Sequence, residues 1–282
     1  MKESPSTDVH CHLLPPELRQ PPATSWQDTW FAACHADAAD FASGAEVIRA
    51  LDGAQLERGV VFGWPFADPG LLKEVNDYVV HEANASGGRL IGLALINPIR
   101  PGWEAELARC RSLGLHGVGE LNADAQGFAL RFETGLRQVL STLVEMDWPL
   151  MMHASESVGH QYPGKGTAFP GRFWELLVPA LQSLPGLRVC LAHLGGGLPF
   201  YAHMPEVLEL CRQLWFDTAA LPYLYQPGAL EAVNQLLGDG RICFGSDFPL
   251  LTPTRYREQF ASLPAQVSAS LHRDAPGAWL GR

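Results

Sequence analysis

Two histidines stand one residue apart near the start of the chain, at positions 10 and 12 in the stretch DVHCHLLP. The stretch has the composition of a short β-strand, on which successive side chains point to opposite faces. His10 and His12 would therefore present their imidazoles on one face, while Cys11 points to the other. Two neutral imidazoles at this spacing are suitable ligands for a divalent ion such as Zn, Fe, Mn or Co.

Further residues of metal-ligating type stand at the ends of other short apolar runs. Glu120 ends one run, His153 closes MMH, His193 closes LAH, and Asp247 stands in FGSD. A single histidine in such a run is more often an ordinary hydrogen-bonded residue than a ligand. Unrelated structural histidines would have no reason to recur at run ends, so the joint placement favours a metal site. His153 and Asp247 would supply a third donor and an oxygen donor, with room left for water.

The rest of the sequence alternates short apolar runs with helix-like stretches. Eight runs predict β-strands, at residues 7–12, 59–64, 90–96, 115–121, 148–153, 187–193, 214–218 and 241–247. Eight strands alternating with helices in a chain of 282 residues predict an α/β fold of the (β/α)8 TIM-barrel type. Such a barrel carries its active site at the C-terminal ends of its strands, so the residues above would share one site.

No internal repeat and no linker rich in Ser or Gly divides the chain, which predicts a single catalytic domain over residues 1–282. One connection, at about 13–43, is too long for an ordinary loop between a strand and a helix. Its aromatic residues are Trp26, Trp30, Phe31 and Phe41. We expect this insertion to act as a lid or as additional core. The histidines in segments predicted as helix or loop, such as His35, are expected to have ordinary structural or surface roles.

Composition and charge exclude several classes of protein. The chain is 47% hydrophobic and carries a formal net charge of -10, without a basic stripe, which argues against a nucleic-acid partner. Its longest apolar runs, such as residues 90–96, are far shorter than the ~20 residues of a membrane helix. We expect a cytoplasmic protein with no membrane partner. Its 6 cysteines lack CxxC spacing, which predicts reduced thiols and not a zinc-thiolate site.

Four segments resemble the amidohydrolase superfamily, and within it the amidohydrolase-2 group that includes the aminocarboxymuconate-semialdehyde decarboxylase-like enzymes. The segments are DVHCHLLP, MMHASE, AHLGGGLP and FGSDFP, in the family's order along nearly the whole chain. The resemblance implies a divalent metal ion, first Zn2+ with Mn2+, Fe2+ or Co2+ as alternatives. The ligands that it implies are His10, His12, His153 and Asp247. It also implies that His193 is a catalytic acid or base, although elsewhere in the superfamily the corresponding histidine is a ligand.

Glu120 departs from this pattern. The decarboxylase-like members need no carboxylate at the end of the fourth strand, whereas Glu120 is similar to the bridging ligand of TatD-type dinuclear hydrolases. Glu120 is therefore a candidate ligand of a second metal ion or a neighbour of the first. The number of metal ions stays open at this point.

The proposed ligands predict an enzyme that acts on a small molecule. A bound divalent cation lowers the pKa of its water to about 7, and Asp247 and His193 can move protons beside it. The metal-activated water and these two residues favour a hydrolase of an amide, ester or lactone as the first hypothesis. The alternative is a nonoxidative decarboxylase of a small aromatic or unsaturated carboxylic acid. A catalytically silent barrel and a TatD-like nuclease are weaker alternatives than these two. The sequence does not decide whether the protein forms a homodimer.

The loop at 154–172, ASESVGHQYPGKGTAFPGR, follows directly after His153. Loops at this position of a barrel contact the substrate. We therefore predict four of its polar residues as substrate-binding residues, namely Glu156, His160, Tyr162 and Lys165. The alternative is a solvated loop with glycines at its turns.

Overall fold

The computed structural model describes residues 6–35, 40–226, 228–256, 260 and 263–281. Within them, each of the eight predicted runs contains or overlaps one observed β-strand. The strands are β1 (Thr7–His12), β2 (Arg58–Phe62), β3 (Leu90–Gly92), β4 (Val118–Leu121), β5 (Leu150–Met152), β6 (Val189–Leu191), β7 (Trp215–Asp217) and β8 (Ile242–Cys243).

Consecutive strands pair in parallel, in two ladders. The first ladder has the order β1-β2-β3 and the second has the order β4-β5-β6-β7-β8. Two isolated bridges connect the ladders, one between Ala94 and Val118 and one between Cys11 and Phe248. The strands therefore follow the order of a (β/α)8 barrel, although the named strands form two arcs and not one continuous ring.

Helices separate the strands, as the sequence predicts. Their bounds are Thr29–Cys34, Gly44–Ala54, Pro69–Ala85, Trp103–Ser112, Ala123–Gln126, Thr134–Glu145, Pro170–Ser183, Pro205–Cys211, Leu221–Leu224, Ala229–Leu237, Ala265–Ala269 and Ala275–Leu280. Local signals start several of them. Ser43 forms a capping box with Glu46, and Asp68 accepts a hydrogen bond from the backbone of Leu71 before a helix that begins with Pro69.

The apolar residues form two clusters. The larger one packs helices against the outside of the strands. The smaller one gathers side chains from strands all round the barrel, among them Val9, Phe62, Met151 and Cys243, together with Trp279 from the last helix. The indole nitrogen of Trp279 donates to the Leu150 carbonyl at the start of β5. The last helix therefore covers the N-terminal end of the barrel and leaves the C-terminal end for the site.

The long insertion after β1 contributes both to the core and to a cavity. It contains the helix Thr29–Cys34, whose Phe31 is buried and stacks on Phe41 with 5.7 Å between ring centroids. Trp30 on the same helix lines the cavity described below. Residues 36–39 of the insertion lie outside the described residues.

None of the helices in the described part of the chain is long and apolar enough to cross a bilayer. The 6 cysteines are free thiols, as predicted. The single domain, the cytoplasmic location and the homodimer stay predictions.

Candidate active site

A cavity of about 540 Å³ lies at the C-terminal ends of the strands. Residues at or shortly after the C-terminal ends of the strands line it, namely His12, Glu120, His153, His193 and Asp247. His10 lies just beneath them and is fully buried. The structure therefore brings together all six residues that the sequence places at strand ends.

The two histidines of β1 face each other through their Nε2 atoms, which are 3.2 Å apart. His10 Nδ1 donates to Asp217 Oδ2 at 2.8 Å, and His12 Nδ1 donates to the Gly63 carbonyl oxygen at 3.1 Å. Because a carbonyl only accepts, the His12 proton must be on Nδ1, and its Nε2 then carries a lone pair. Two such lone pairs held this close repel each other unless a cation or a proton lies between them.

Asp247 completes the first group of donors. Its Oδ1 lies 3.4 Å from His10 Nε2 and 3.5 Å from His12 Nε2. Ligand atoms bound at about 2.0–2.1 Å to one ion are about 2.9 to 3.4 Å apart in octahedral or tetrahedral sites. The chemistry and spacing of these three donors fit a divalent metal ion.

A second group of donors lies beside the first and consists of Glu120, His153 and His193. Glu120 Oε1 is 3.2 Å from His153 Nδ1 and 3.7 Å from His193 Nε2. The other carboxylate oxygen, Oε2, is 3.8 Å from His12 Nε2 and 3.9 Å from His10 Nε2. The Glu120 carboxylate therefore lies between the two groups, with one oxygen facing each.

The electrostatics of the site follow from burying carboxylates among imidazoles. Burial lowers the pKa of His10, but Asp217 and two other carboxylates outweigh it and raise the pKa to about 9. The pKa of His193 rises to about 10 because hydrogen bonding to Glu120 and nearby carboxylates overcome its burial. Burial opposes ionisation of Asp247, yet His10 and the other imidazoles hold its pKa below the usual range. The group of carboxylates thus favours positive charge at its centre.

Asp217, at the end of β7, positions two of these histidines. Its Oδ2 accepts from His10, and its Oδ1 accepts from the backbone N–H groups of His193 at 2.9 Å and Ala219 at 3.0 Å. His193 has a left-handed backbone, with φ 57° and ψ 45°, which is costly for a residue other than Gly. The bond from Asp217 helps to hold that conformation. Asp217 was not among the residues predicted from the sequence, although a carboxylate that ends the run LWFD is a usable signal.

Close packing around the site needs glycine at two positions. A Cβ at Gly245 would lie 2.8 Å from the Cβ of His10. A Cβ at Gly196 would collide with the carbonyl oxygen of Ser155, and Gly196 also has a φ of 61°. The glycines after His193 therefore allow the chain to pass close to the loop that follows β5.

Of the four residues in the loop after β5 that were predicted to bind substrate, two line the cavity and two do not. His160 and Tyr162 line the cavity, whereas Glu156 and Lys165 are not among its lining residues. Glu156 accepts from the Tyr162 hydroxyl at 2.6 Å and from the Tyr225 hydroxyl at 3.1 Å. Lys165 Nζ donates to the backbone carbonyl of His160 at 2.9 Å. These contacts of Glu156 and Lys165 hold the loop in place.

Aromatic residues that were not predicted as substrate-binding residues form much of the cavity wall. The indole of Trp64 stacks on His12, with ring centroids 4.3 Å apart and planes 14° apart. Trp30 and His35 come from the insertion, and Tyr223 comes from the segment after β7. His35, expected to have an ordinary role, therefore lies in the wall of the cavity.

A family model described as Amidohydrolase matches residues 7–278. The chain belongs to the amidohydrolase family. This confirms the resemblance seen in the four segments, together with the expectation of a TIM-barrel fold and an enzyme of this type.

The similar proteins of known name are mostly decarboxylases. A 6-methylsalicylic acid decarboxylase from Penicillium expansum is 35% identical over 85 residues, which cover 24% of this chain and 25% of the relative, so the match spans a quarter of that protein's length. The structure of a 2,6-dihydroxybenzoate decarboxylase with 2,6-dihydroxybenzoate has a TM-score of 0.76 at 16% identity, covering 99% of this amidohydrolase and 100% of that chain.

Two further similar structures are of interest, one because it contains a metal ion and one because it is named as a probable hydrolase. A dihydroxybenzoic acid decarboxylase from Polaromonas sp. JS666, with bound manganese and the inhibitor 2-nitroresorcinol, has a TM-score of 0.73 at 15% identity, covering 99% of this chain and 97% of that chain. A probable 2-pyrone-4,6-dicarboxylic acid hydrolase from Acinetobacter baumannii has a TM-score of 0.67 at 18% identity, covering 98% and 99%. At these identities the structures establish the fold of this amidohydrolase, and their activities belong to those proteins.

Proposed function

We propose that this amidohydrolase is a metal-dependent nonoxidative decarboxylase of a small aromatic carboxylic acid. Two groups of metal-ligating side chains meet at Glu120 in a cavity with aromatic walls, and this arrangement is the main support for the proposal. Three of the four similar proteins named above are decarboxylases of aromatic acids. This reverses the order expected from the sequence, in which hydrolysis came first and decarboxylation second.

We propose one divalent ion held by His10, His12 and Asp247, with His153 as a further ligand and Glu120 as a neighbour. Mn2+ is the ion present in a similar structure, and Zn2+ is the alternative that the sequence put first. When bound, the ion would hold the substrate carboxylate and offset its negative charge.

The protein's own residues would then place and protonate the substrate. Trp64 and Tyr223 offer aromatic surfaces to the ring, and the apolar wall excludes water from it. His193 Nδ1 donates to the Ala219 carbonyl oxygen at 3.0 Å, which fixes the ring and directs Nε2 toward the donor groups. His193 would deliver a proton from Nε2 to the ring carbon that bears the carboxylate. The bond from that carbon to the carboxylate breaks, its electron pair stays on the ring, and CO2 leaves.

The charge of the cavity wall favours a monocarboxylate over a dicarboxylate. No Arg or Lys is among the described residues that line the cavity, and Asp40 adds a further negative charge. A second carboxylate in this cavity would be desolvated without a cationic partner, which is costly. A dicarboxylate, such as the acid in the name of the pyrone hydrolase, is therefore a poorer fit.

The proposal is tested by assaying protein loaded with Mn2+ or Zn2+ against three substrate sets. The sets are hydroxybenzoates, 2-pyrone-4,6-dicarboxylate, and simple aryl esters and amides. We expect CO2 release from at least one hydroxybenzoate and slow or no turnover of the other sets. Hydrolysis of a lactone, ester or amide without CO2 release from any hydroxybenzoate would contradict the proposal.

A further inference from the structure

His35 lies in the cavity wall, directly after the insertion helix Thr29–Cys34. Its Nδ1 donates to the Phe31 backbone carbonyl at 2.7 Å. A carbonyl only accepts, so the imidazole proton is on Nδ1 and Nε2 is left as an acceptor. None of the residues in the described part of the chain donates a hydrogen bond to Nε2.

The surroundings keep this imidazole neutral and fixed. Its ring centroid is 4.3 Å from that of Phe31 and 5.2 Å from that of Phe41, and Trp64 meets it edge to face at 4.5 Å. Burial in this aromatic cluster lowers the pKa of His35. A neutral imidazole with one nitrogen already bonded can offer the cavity only a lone pair.

Trp64 lies between His35 and the donor groups. One face of its indole stacks on His12, and His35 packs against the same indole at an angle of 89°. A substrate ring that lies along Trp64 would therefore have one end near His12 and another near His35. The carboxylate belongs at the His12 end if the proposed function holds.

We propose that His35 determines substrate specificity by accepting a hydrogen bond from a hydroxyl group on the substrate ring. This inference rests on the proposed function for the choice of an aromatic carboxylate as the ligand. A methyl group in the same place cannot donate, so the bound ligand would cover Nε2 without giving it a hydrogen-bond partner, which costs binding free energy. His35 thus selects hydroxylated rings and rejects their methyl counterparts.

The test is calorimetric binding of matched ligands to the metal-loaded protein. Each hydroxybenzoate isomer is paired with the methylbenzoate of the same substitution, because the two groups are similar in size and only the hydroxyl donates. In the unsubstituted protein we expect one isomer to bind about 3- to 10-fold more tightly than its methyl partner, the ratio for one net hydrogen bond. If no isomer shows this preference, the proposal is overturned.

Two variants assign the preference to His35. His35→Phe keeps an aromatic ring and should abolish the hydroxyl preference while leaving the affinity for the methyl partner within about 2-fold. His35→Gln retains an acceptor and should restore part of the preference. A preference that persists in His35→Phe, or an equal loss for both ligands, would overturn the proposal. CO2 release is measured separately, so a preference that depends on His35 without CO2 release would count against the decarboxylase and not against His35.

Discussion

Oδ2 of Asp217 lies 2.8 Å from Nδ1 of His10, and both side chains are fully buried. This bond fixes the His10 ring so that Nε2 faces the other donors. A carboxylate behind a metal-binding imidazole orients the ring and increases its basicity, and losing such a partner costs about 10- to 100-fold in metal affinity.

Asp217→Asn should therefore weaken metal binding by about 10- to 100-fold. The amide keeps the shape of the side chain but removes the negative charge next to His10. Competition with a chromophoric chelator measures the affinity, and Asp52→Asn, at an exposed carboxylate, serves as the matched control. An unchanged metal affinity in Asp217→Asn would show that His10 needs no support from this carboxylate.

His193→Asn should leave the metal content intact and lower kcat by about 10²- to 10⁴-fold, the usual contribution of a general acid or base. The proposed ligands are untouched by this change, and the proton donor is lost. One limb of the pH profile of kcat should also disappear. Metal content, thermal midpoint and kcat are measured on one preparation. Parallel loss of metal and activity would instead identify His193 as a ligand, and a lower thermal midpoint with normal kcat would identify a structural role.

Glu120→Gln should still bind one equivalent of metal ion. Its Oε2 is farther from the two Nε2 atoms than Asp247 Oδ1 is, at 3.8 to 3.9 Å against 3.4 to 3.5 Å. Elemental analysis of both proteins gives the stoichiometry. Two equivalents in the unsubstituted protein and fewer in the variant would assign Glu120 to a dinuclear site.

Acid should destabilise the protein partly through His272. The His272 ring packs against Phe244, with ring centroids 4.8 Å apart. Burial at this position lowers the pKa of His272 below its ordinary value of 6.5. Between the two pKa values the unfolded chain binds more protons than the folded one, so the free energy of unfolding falls as the pH drops below about 6.5. His272→Phe should show a smaller loss of thermal midpoint between pH 7.5 and 5.5. An identical loss in both proteins would remove His272 as a cause.

The sequence predicted the strands and the strand-end residues because both are local signals. The HxH of β1 and the polar residues that end apolar runs stay next to each other or at the same barrel end in any (β/α)8 fold. Asp217 ends the local run LWFD, but its contact with His10 was not predictable from that run, because β7 is not paired with β1 and the contact depends on the folded barrel. The two strands are far apart in the chain, and only the barrel brings their ends together.

The contacts of the insertion also could not be predicted from local sequence. Its aromatic residues suggested a lid or extra core, yet only the folded structure shows that Phe31 and Phe41 pack against Trp64 and that Trp30 lines the cavity. His35 was expected to have an ordinary role because a sequence predicted as helix or loop does not show which way a given side chain points. Glu156 and Lys165 were nominated from their place in the loop, and only the three-dimensional contacts show that their polar atoms bond within that part of the structure.

Decarboxylation at this site would release the carboxyl carbon as CO2 and leave a new hydrogen on the ring. The most direct measurement follows a hydroxybenzoate that carries 13C in its carboxyl group, incubated with the metal-loaded protein in D2O and observed by NMR. We predict labelled CO2 and bicarbonate, together with a phenol that carries deuterium on the vacated ring carbon. The doubly substituted protein, with His10→Ala and His12→Ala, is the control and should give neither product. If the label stays on the aromatic ring for every hydroxybenzoate isomer with metal bound, this protein is not a decarboxylase of these acids.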